Sequence, residues 1–347
     1  MPQRRARDYH ITVGSLPTGP RNKLTDVPGV TVGHCTVDTD EFKTGITVVQ
    51  PCRENPFVHK LPAASFVLNG FGKTAGLVQV DELGSIETPI FFTNTLNVGL
   101  VHDAAVEHML RRCEAEGVEL ASVNPVVCEC NDSGLNHIQR RAVAQEQVFA
   151  ALDAAGEDFD EGDVGAGKGM VCHGLKGGIG SASRIMEADG TAYTMGALVL
   201  ANHGRMADLT IRGRHVGAEL EAAKAAKESD VGSCIVLLAT DLPLDSRQLG
   251  RVAKRASVGL ARLGSYIGHG SGEVFLAFST ANAFDPREEA ATRTVTAYHE
   301  SKMDLPFRAA AECVEEAVLN CLFTARTCTG WDKKTVWALT DLWTPED

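Results

Sequence analysis

The sequence predicts an α+β layered sandwich, with sheets packed together and helices outside them. Three observations predict it. Short β-branched runs alternate with glycine-rich turns through the first two-thirds of the chain. The elements follow the order strands, helices, strands, helices rather than a strict βαβ alternation. An abrupt step at Gly232–Ser233 leads from a charged, alanine-rich segment into a continuous apolar run. The 347 residues permit one large domain or two smaller ones with a sizeable core.

Taken in order, the candidate strands are Val30–His34, Thr47–Gln50, Ser65–Asn69, Pro125–Glu129, Gly169–His173 and Ala192–Ala201. Two helices interrupt them. One covers roughly Val98–Glu116, with apolar positions at Val101, Ala105 and Leu110; the other covers roughly Leu135–Ala154. The segment Ala218–Ser229 reads as an exposed helix or a linker. From Ser233 the run SCIVLLATD is too short for a typical helix, so it reads as a strand buried on both faces. Asp245 then opens a helix, with Gln248 three residues on in a capping-box arrangement, and Leu249, Val252, Ala256, Leu260 and Leu263 form its apolar stripe. A strand at Glu273–Ser279 and a helix at roughly Pro306–Cys328 complete the chain.

A formal net charge of −12 argues against nucleic acid or an anionic membrane surface as the main partner. No run is long enough to span a bilayer, and the basic N-terminus lacks the apolar stretch of a secretory signal. The ten cysteines form no C-x-x-C pair, and several sit inside apolar runs, as Cys234 and Cys172 do. They read as small buried hydrophobes in a reducing compartment, so the expected location is the cytoplasm. The eleven histidines show no metal-ligating pattern, and no metal is expected. Gly162–Gly169 has a G-x-x-x-x-G-K core, but Gly169 stands where a magnesium-binding Ser or Thr is needed. Gly70–Thr74 ends in Gly-Lys-Thr, but Val67 replaces the first glycine. Neither supports an NTPase.

Four places can carry chemistry. Ser233 needs a base, and a serine at a chain terminus can use its own α-amine, whose reference pKa is about 8. Such a terminus must be made by cutting after Gly232, where the absent side chain lets the hydroxyl reach the carbonyl. On the residues alone, a Gly-Ser pair that merely ends a linker is the simpler reading. In Gly268–Glu273, the side chains of Ser271 and Glu273 can share one strand face and form a proton relay; a tight turn with a solvated glutamate is the alternative. Lys176 lies in the glycine-rich bend Gly174–Ser183, where a hairpin with a surface lysine is the plain reading. Asn202, at the end of an apolar strand, can donate to an oxyanion or simply occupy a turn.

Together these segments resemble the L-aminopeptidase/D-Ala-esterase/amidase (DmpA-type) family of self-processing serine aminopeptidases, which includes the bacterial β-aminopeptidases. LTDVPGVTVGHCTV, NPVVCECNDSGLN, GMVCHGLKGGIGSASR, ALVLANHG, GSCIVLLATDLPL and GLARLGSYIGHGSGEVFLAFSTAN carry the resemblance, in the family's order. It implies a four-layer αββα sandwich similar to the DmpA and ornithine acetyltransferase fold. It also implies self-cleavage of one 1–347 unit into an α-chain, 1–232, and a β-chain, 233–347. Ser233 is then the nucleophile, Ser271 and Glu273 are further catalytic groups, and Asn202 stabilises the oxyanion. Lys176 and Asn131 fall at positions that contribute to substrate or oxyanion contacts. One departure concerns Asn131 and Gly134: no tyrosine stands near the former and no aromatic at the latter, which suggests a wider or more polar pocket.

The activity so implied is hydrolysis of the N-terminal residue from small peptides, amides or esters through an acyl-enzyme on Ser233. It needs no metal or organic cofactor, and the αβ units are expected to form homo-oligomers. An acyltransferase of the ornithine acetyltransferase type is the alternative within the same chemistry, and an uncleaved, non-enzymatic binding protein is the alternative outside it.

Overall fold

The apolar run after Gly232 lies at the centre of two facing sheets. The computed structural model describes residues 4–223 and 231–345. In chain order the elements are β1 (Thr31–Asp38), β2 (Lys43–Gln50), β3 (Leu61–Gly70), α1 (Leu77–Leu83), β4 (Ser85–Ile86), β5 (Ile90–Asn94), α2 (Val98–Ala115), β6 (Val126–Cys130), α3 (Gln145–Asp153), β7 (Val171–Cys172), β8 (Leu175–Lys176), β9 (Gly178–Ala188), β10 (Thr191–Asn202), α4 (Val216–Ala223), β11 (Val231–Thr240), α5 (Ser246–Ala253), α6 (Ala256–Arg262), β12 (Gly270–Ser279), α7 (Asp304–Thr324), β13 (Cys328–Thr329) and β14 (Thr335–Val336).

The smaller sheet has the order β1-β2-β5-β6 and the larger β4-β3-β12-β11-β10-β9. Side chains alternate along a strand, so β11 serves two cores at once. Ile235, Leu237 and Ala239 join Val49, Phe92 and Cys128 of the smaller sheet in the layer between the sheets. Val236 and Leu238 turn the other way, into the layer with Leu249, Leu260 and Val318 of the helices. On the outer face of the smaller sheet, Val48, Phe91 and Val127 pack with Val101, Ala105 and Val148 of α2 and α3. The order helix, sheet, sheet, helix is the predicted sandwich. β11 and β12 run parallel, with α5 and α6 making the crossover between them. The predicted capping box closes at α5: the Gln248 amide donates to Asp245 Oδ1 at 2.7 Å, and the Asp245 amide to Gln248 Oε1 at 3.2 Å.

Four expectations need correction. The helix expected over Leu135–Ala154 covers only Gln145–Asp153. Its first half is held otherwise: the Leu135 and Asn136 amides bond back to Asp132, and Arg141 adopts a left-handed φ of 49°. The helix after Asp245 is interrupted at Lys254–Arg255, where Arg255 lies 3.8 Å from the ring centroid of Phe307 on α7. The strand at Gly169–His173 shrinks to the two residues of β7, paired with β8. The glycine-rich bend Gly174–Ser183 belongs largely to β8 and β9.

Of the charged stretch 218–229, residues 218–223 close α4 and the rest lies outside the described residues. Lys168 of the false phosphate loop is buried between Asp163 at 3.0 Å and Asp38 at 2.7 Å, so it is an internal ion-pairing group. Among the described residues no helix is long and apolar enough to cross a membrane.

Candidate active site

The strand order places β11 between β10 and β12, and the pairing registers decide what surrounds Ser233. Across the antiparallel pair, Ser233 stands opposite Asn202; across the parallel pair it stands opposite Gly272. Ile235 and Leu200 both point between the sheets, so by alternation Ser233 and Asn202 point to that side too. Directly opposed residues on one face have Cβ atoms about 4.5–5.5 Å apart. Both line a cavity of about 670 Å³ that also takes Glu129 and Asn131 from the end of β6, Lys73 from the loop after β3, and Trp337 beyond β14.

The Ser233 hydroxyl is buried and bonds to no nitrogen or oxygen among the described residues. The thiol of Cys130 lies alongside it, its ionisation pushed well up by burial. Asn202 is held at both ends of its amide. Its Oδ1 accepts from the Val171 amide at 2.8 Å, and its Nδ2 donates to the Asn131 carbonyl at 3.0 Å. A primary amide has two N–H donors, so this clamp leaves a second one for an oxyanion. Gly232 packs against the same residue: a Cβ there would fall 2.0 Å from the Asn202 carbonyl oxygen.

Ser271 and Glu273 do share a face, and the Ser271 hydroxyl donates to Glu273 Oε1. Both are fully buried. Their face is that of Phe275 and Cys234, the helix side of the sheet, and Gly270 of the same strand lines the cavity while they do not. In register they stand opposite Gly232 and Cys234, on either side of Ser233. The pair therefore flanks the main-chain nitrogen of Ser233 rather than its hydroxyl. Asn69 on β3 steadies the approach to β12, donating to the carbonyl oxygens of Gly268 at 3.0 Å, His269 at 3.3 Å and Ser271.

A serine at a strand end, an amide opposite it and a buried hydroxyl–carboxylate pair on the neighbouring strand are the groups that acyl transfer needs. The model of peptidase family S58 matches residues 22–336 of the chain. The chain belongs to peptidase family S58. It is 37% identical over 361 residues to the β-peptidyl aminopeptidase BapA of Sphingosinicella xenopeptidilytica, covering 96% of this chain and 88% of that protein. The crystal structure of the PH0078 protein from Pyrococcus horikoshii OT3 superposes with a TM-score of 0.92 at 47% identity, covering 97% of this chain and 96% of the other. The L-aminopeptidase D-Ala-esterase/amidase of Ochrobactrum anthropi, described as a prototype for the serine aminopeptidases and a variant of the Ntn hydrolase fold, gives 0.90 at 36% identity over 96% and 95% of the two chains. The protein is thus a peptide-bond hydrolase of the serine aminopeptidase class with an N-terminal-nucleophile type of fold.

In this S58 peptidase Lys176 does not enter the cavity, against the sequence expectation. It is fully buried on β8, where its Nζ donates to the carbonyls of Gly167 at 3.1 Å, Met170 at 2.9 Å and Gly177 at 2.8 Å. Burial lowers its pKa to about 8. It fixes the loop that leads to Val171, and so acts on Asn202 at one remove. Asn131 does line the cavity; its carbonyl clamps Asn202, and its side-chain oxygen accepts from the Ser133 amide at 3.0 Å. Ser133 and Gly134 line the wall beside it, and the aromatic surface comes instead from Phe71 and Trp337.

Sequence reading missed Glu129. Its carboxylate accepts from the Lys73 amide at 2.8 Å and from the Thr95 hydroxyl, it is 3% exposed, and it lines the cavity. The available signal was an acidic residue inside the apolar strand VVCEC. Under the floor, burial raises the Asp132 carboxyl to about 6, while its Oδ1 accepts from Asn136 at 3.0 Å.

Proposed function

We propose that this peptidase cleaves itself after Gly232 and then removes N-terminal residues from small peptides, amides or esters, with Ser233 as nucleophile. The observation that carries the reading is the direct opposition of Ser233 and Asn202 on the cavity wall, with Gly232 preceding the serine.

In maturation the Ser233 hydroxyl attacks the Gly232 carbonyl carbon, and the peptide nitrogen leaves as the Ser233 α-amine. The resulting ester is hydrolysed, which frees the Gly232 carboxylate and the hydroxyl. In turnover the α-amine takes the hydroxyl proton as Oγ attacks the substrate carbonyl. Ser271 and Glu273 steady that amine and its proton. The spare Asn202 N–H holds the tetrahedral oxyanion. The leaving amine departs protonated, and water releases the acyl group. Glu129 offers a buried carboxylate to the substrate's free ammonium, the group an aminopeptidase must recognise. The substrates that the relatives' names carry, β-peptides and D-alanyl esters or amides, are the first to try. The reading also has the αβ units assemble into a homo-oligomer in the cytoplasm, and no disulfide joins any of the ten cysteines.

Intact-mass measurement of the purified protein, paired with hydrolysis of aminoacyl p-nitroanilides, tests this. Fragments 1–232 and 233–347 together with amine release are expected. Full activity with the backbone still joined at that bond overturns it. Product analysis with and without an acceptor amine separates hydrolysis from acyl transfer.

A further inference from the structure

Behind Asn202 lies a second group of side chains, separate from those assigned to acyl transfer, whose atoms can ligate a metal. The atoms that Cys172, His173 and His203 can offer a metal all lie within 4.8 Å of one another, and all three residues are buried. In sequence the group is inconspicuous, because His203 comes thirty residues after His173 and metal motifs have short spacings.

His203 is the sharpest observation. It is 1% exposed, and neither Nδ1 nor Nε2 has a hydrogen-bond partner among the described residues. A buried polar ring with both nitrogens unsatisfied is costly, and natural structures keep such groups where water or an ion completes them. His173 shows the complementary arrangement. Its Nδ1 lies 3.0 Å from the carbonyl oxygen of Arg205, which can only accept, so Nδ1 carries the proton and Nε2 the lone pair. Metal-bound histidines use the same backbone anchor to fix their tautomer. The His173 amide donates to the His203 carbonyl at 2.7 Å, which ties the two segments together. Gly204 permits the approach: a Cβ there would lie 2.5 Å from Cε1 of His173.

We propose that Cys172 Sγ, His173 Nε2 and one ring nitrogen of His203 form a buried site for a thiolate- and imidazole-preferring divalent cation of the zinc type. One thiolate and two imidazoles suit such an ion, with a fourth position left open. Bonds of about 2.0–2.3 Å put tetrahedral ligand atoms roughly 3.3–3.8 Å apart, so atoms already within 4.8 Å of one another need close by at most about 1.5 Å on binding. Gly174, Gly204 and Arg205, which follow the ligand segments, line the substrate cavity and give a short route inward. Val171 and Asn202, which immediately precede Cys172 and His203, are hydrogen-bonded to each other. An ion there ties together the two residues that follow the partners of the Val171–Asn202 hydrogen bond.

The test reads metal rather than peptide hydrolysis, so it is independent of the role of Ser233. Reduced, chelator-stripped protein is titrated with Co²⁺ and followed by absorption. The expected result is one Co²⁺ per chain, with tetrahedral visible bands and a thiolate-to-cobalt charge-transfer band that Zn²⁺ displaces. C172S should abolish the charge-transfer band, and H203Q should weaken Co²⁺ binding more than tenfold. Should C172S not accumulate as folded protein, H173N carries the comparison with the same expected weakening. Absence of the charge-transfer band at saturating Co²⁺ in the unmodified protein overturns the proposal. So does a band that survives C172S, or H203Q or H173N binding as tightly as the unmodified chain.

Discussion

Asn202 and Ser233 are direct partners in the antiparallel register of β10 and β11, and the amide of the first is clamped by Val171 on one side and Asn131 on the other. The donor is thus set in place before any substrate arrives. Asn202→Ala should lower kcat by ~10²–10³ with little change in KM, as loss of one oxyanion donor does. The same change should slow maturation, because both reactions pass through a tetrahedral oxyanion. Steady-state kinetics and a time course of fragment appearance after synthesis check the two effects.

Ser233→Ala should remain one chain of full length and be inactive. Gly232→Ala keeps the hydroxyl but sets a methyl 2.0 Å from the Asn202 carbonyl. It should impair self-cleavage and destabilise the fold by about 1–3 kcal/mol, the usual cost of overpacking. Mass spectrometry and denaturant unfolding distinguish this variant from one that merely lacks a nucleophile.

Glu129→Gln keeps an acceptor for the Lys73 amide but removes the charge from the cavity wall. Charge-assisted hydrogen bonds contribute about 1.5–3 kcal/mol, so kcat/KM for substrates with a free amino terminus should fall roughly ten- to a hundredfold, mostly through KM. N-acetylated analogues, already poor, should be unaffected. Equal losses on both substrate types would remove Glu129 from amine recognition.

Lys176→Met withdraws a donor from three buried carbonyls and should destabilise the protein by about 2–4 kcal/mol. The pH dependence has a definite sign. The folded pKa of about 8 lies below the model value of 10.5, so between these the unfolded chain binds more protons and folding gains stability as pH rises. The stability gap between unmodified protein and variant should therefore widen from pH 8 to pH 10.5. Urea unfolding at both ends of that window reads it.

Asp132 gives the opposite case. Its folded pKa of about 6 lies above the model value of 3.8, so the folded chain holds the extra proton between them, and this group's contribution declines as pH rises through the window. Asp132→Asn removes that decline. Its melting temperature relative to the unmodified protein should rise from pH 4 to pH 6 and level off above, which thermal melts across pH would show.

The layered fold was legible because β11 carries an unbroken apolar run from Cys234 to Ala239, which only a strand with packing on both sides requires. β9 was not legible: its glycines and serines suggested a bend, but they are there because α7 and the N-terminal segment press close on its two sides, a tertiary fact that no local pattern carries. In the site, Ser271 and Glu273 could be paired from their spacing, since i and i+2 share a strand face. Which face they share could not be read, because that depends on how β12 sits in the sheet. Lys176 misled for a related reason: a lysine between glycines looks like a surface residue until the three carbonyls around it are known.

The order β3-β12-β11-β10 interleaves the two products that a cut after Gly232 would leave. The two strands that carry Ser233 and Ser271 belong to the shorter product of a cut after Gly232, and the strands on both their outer edges belong to the longer one. Each product then fills a slot in the other's hydrogen-bond ladder, so the halves cannot be peeled apart without melting the sheet. They should co-purify through any non-denaturing separation, and neither should be expected to work when produced alone.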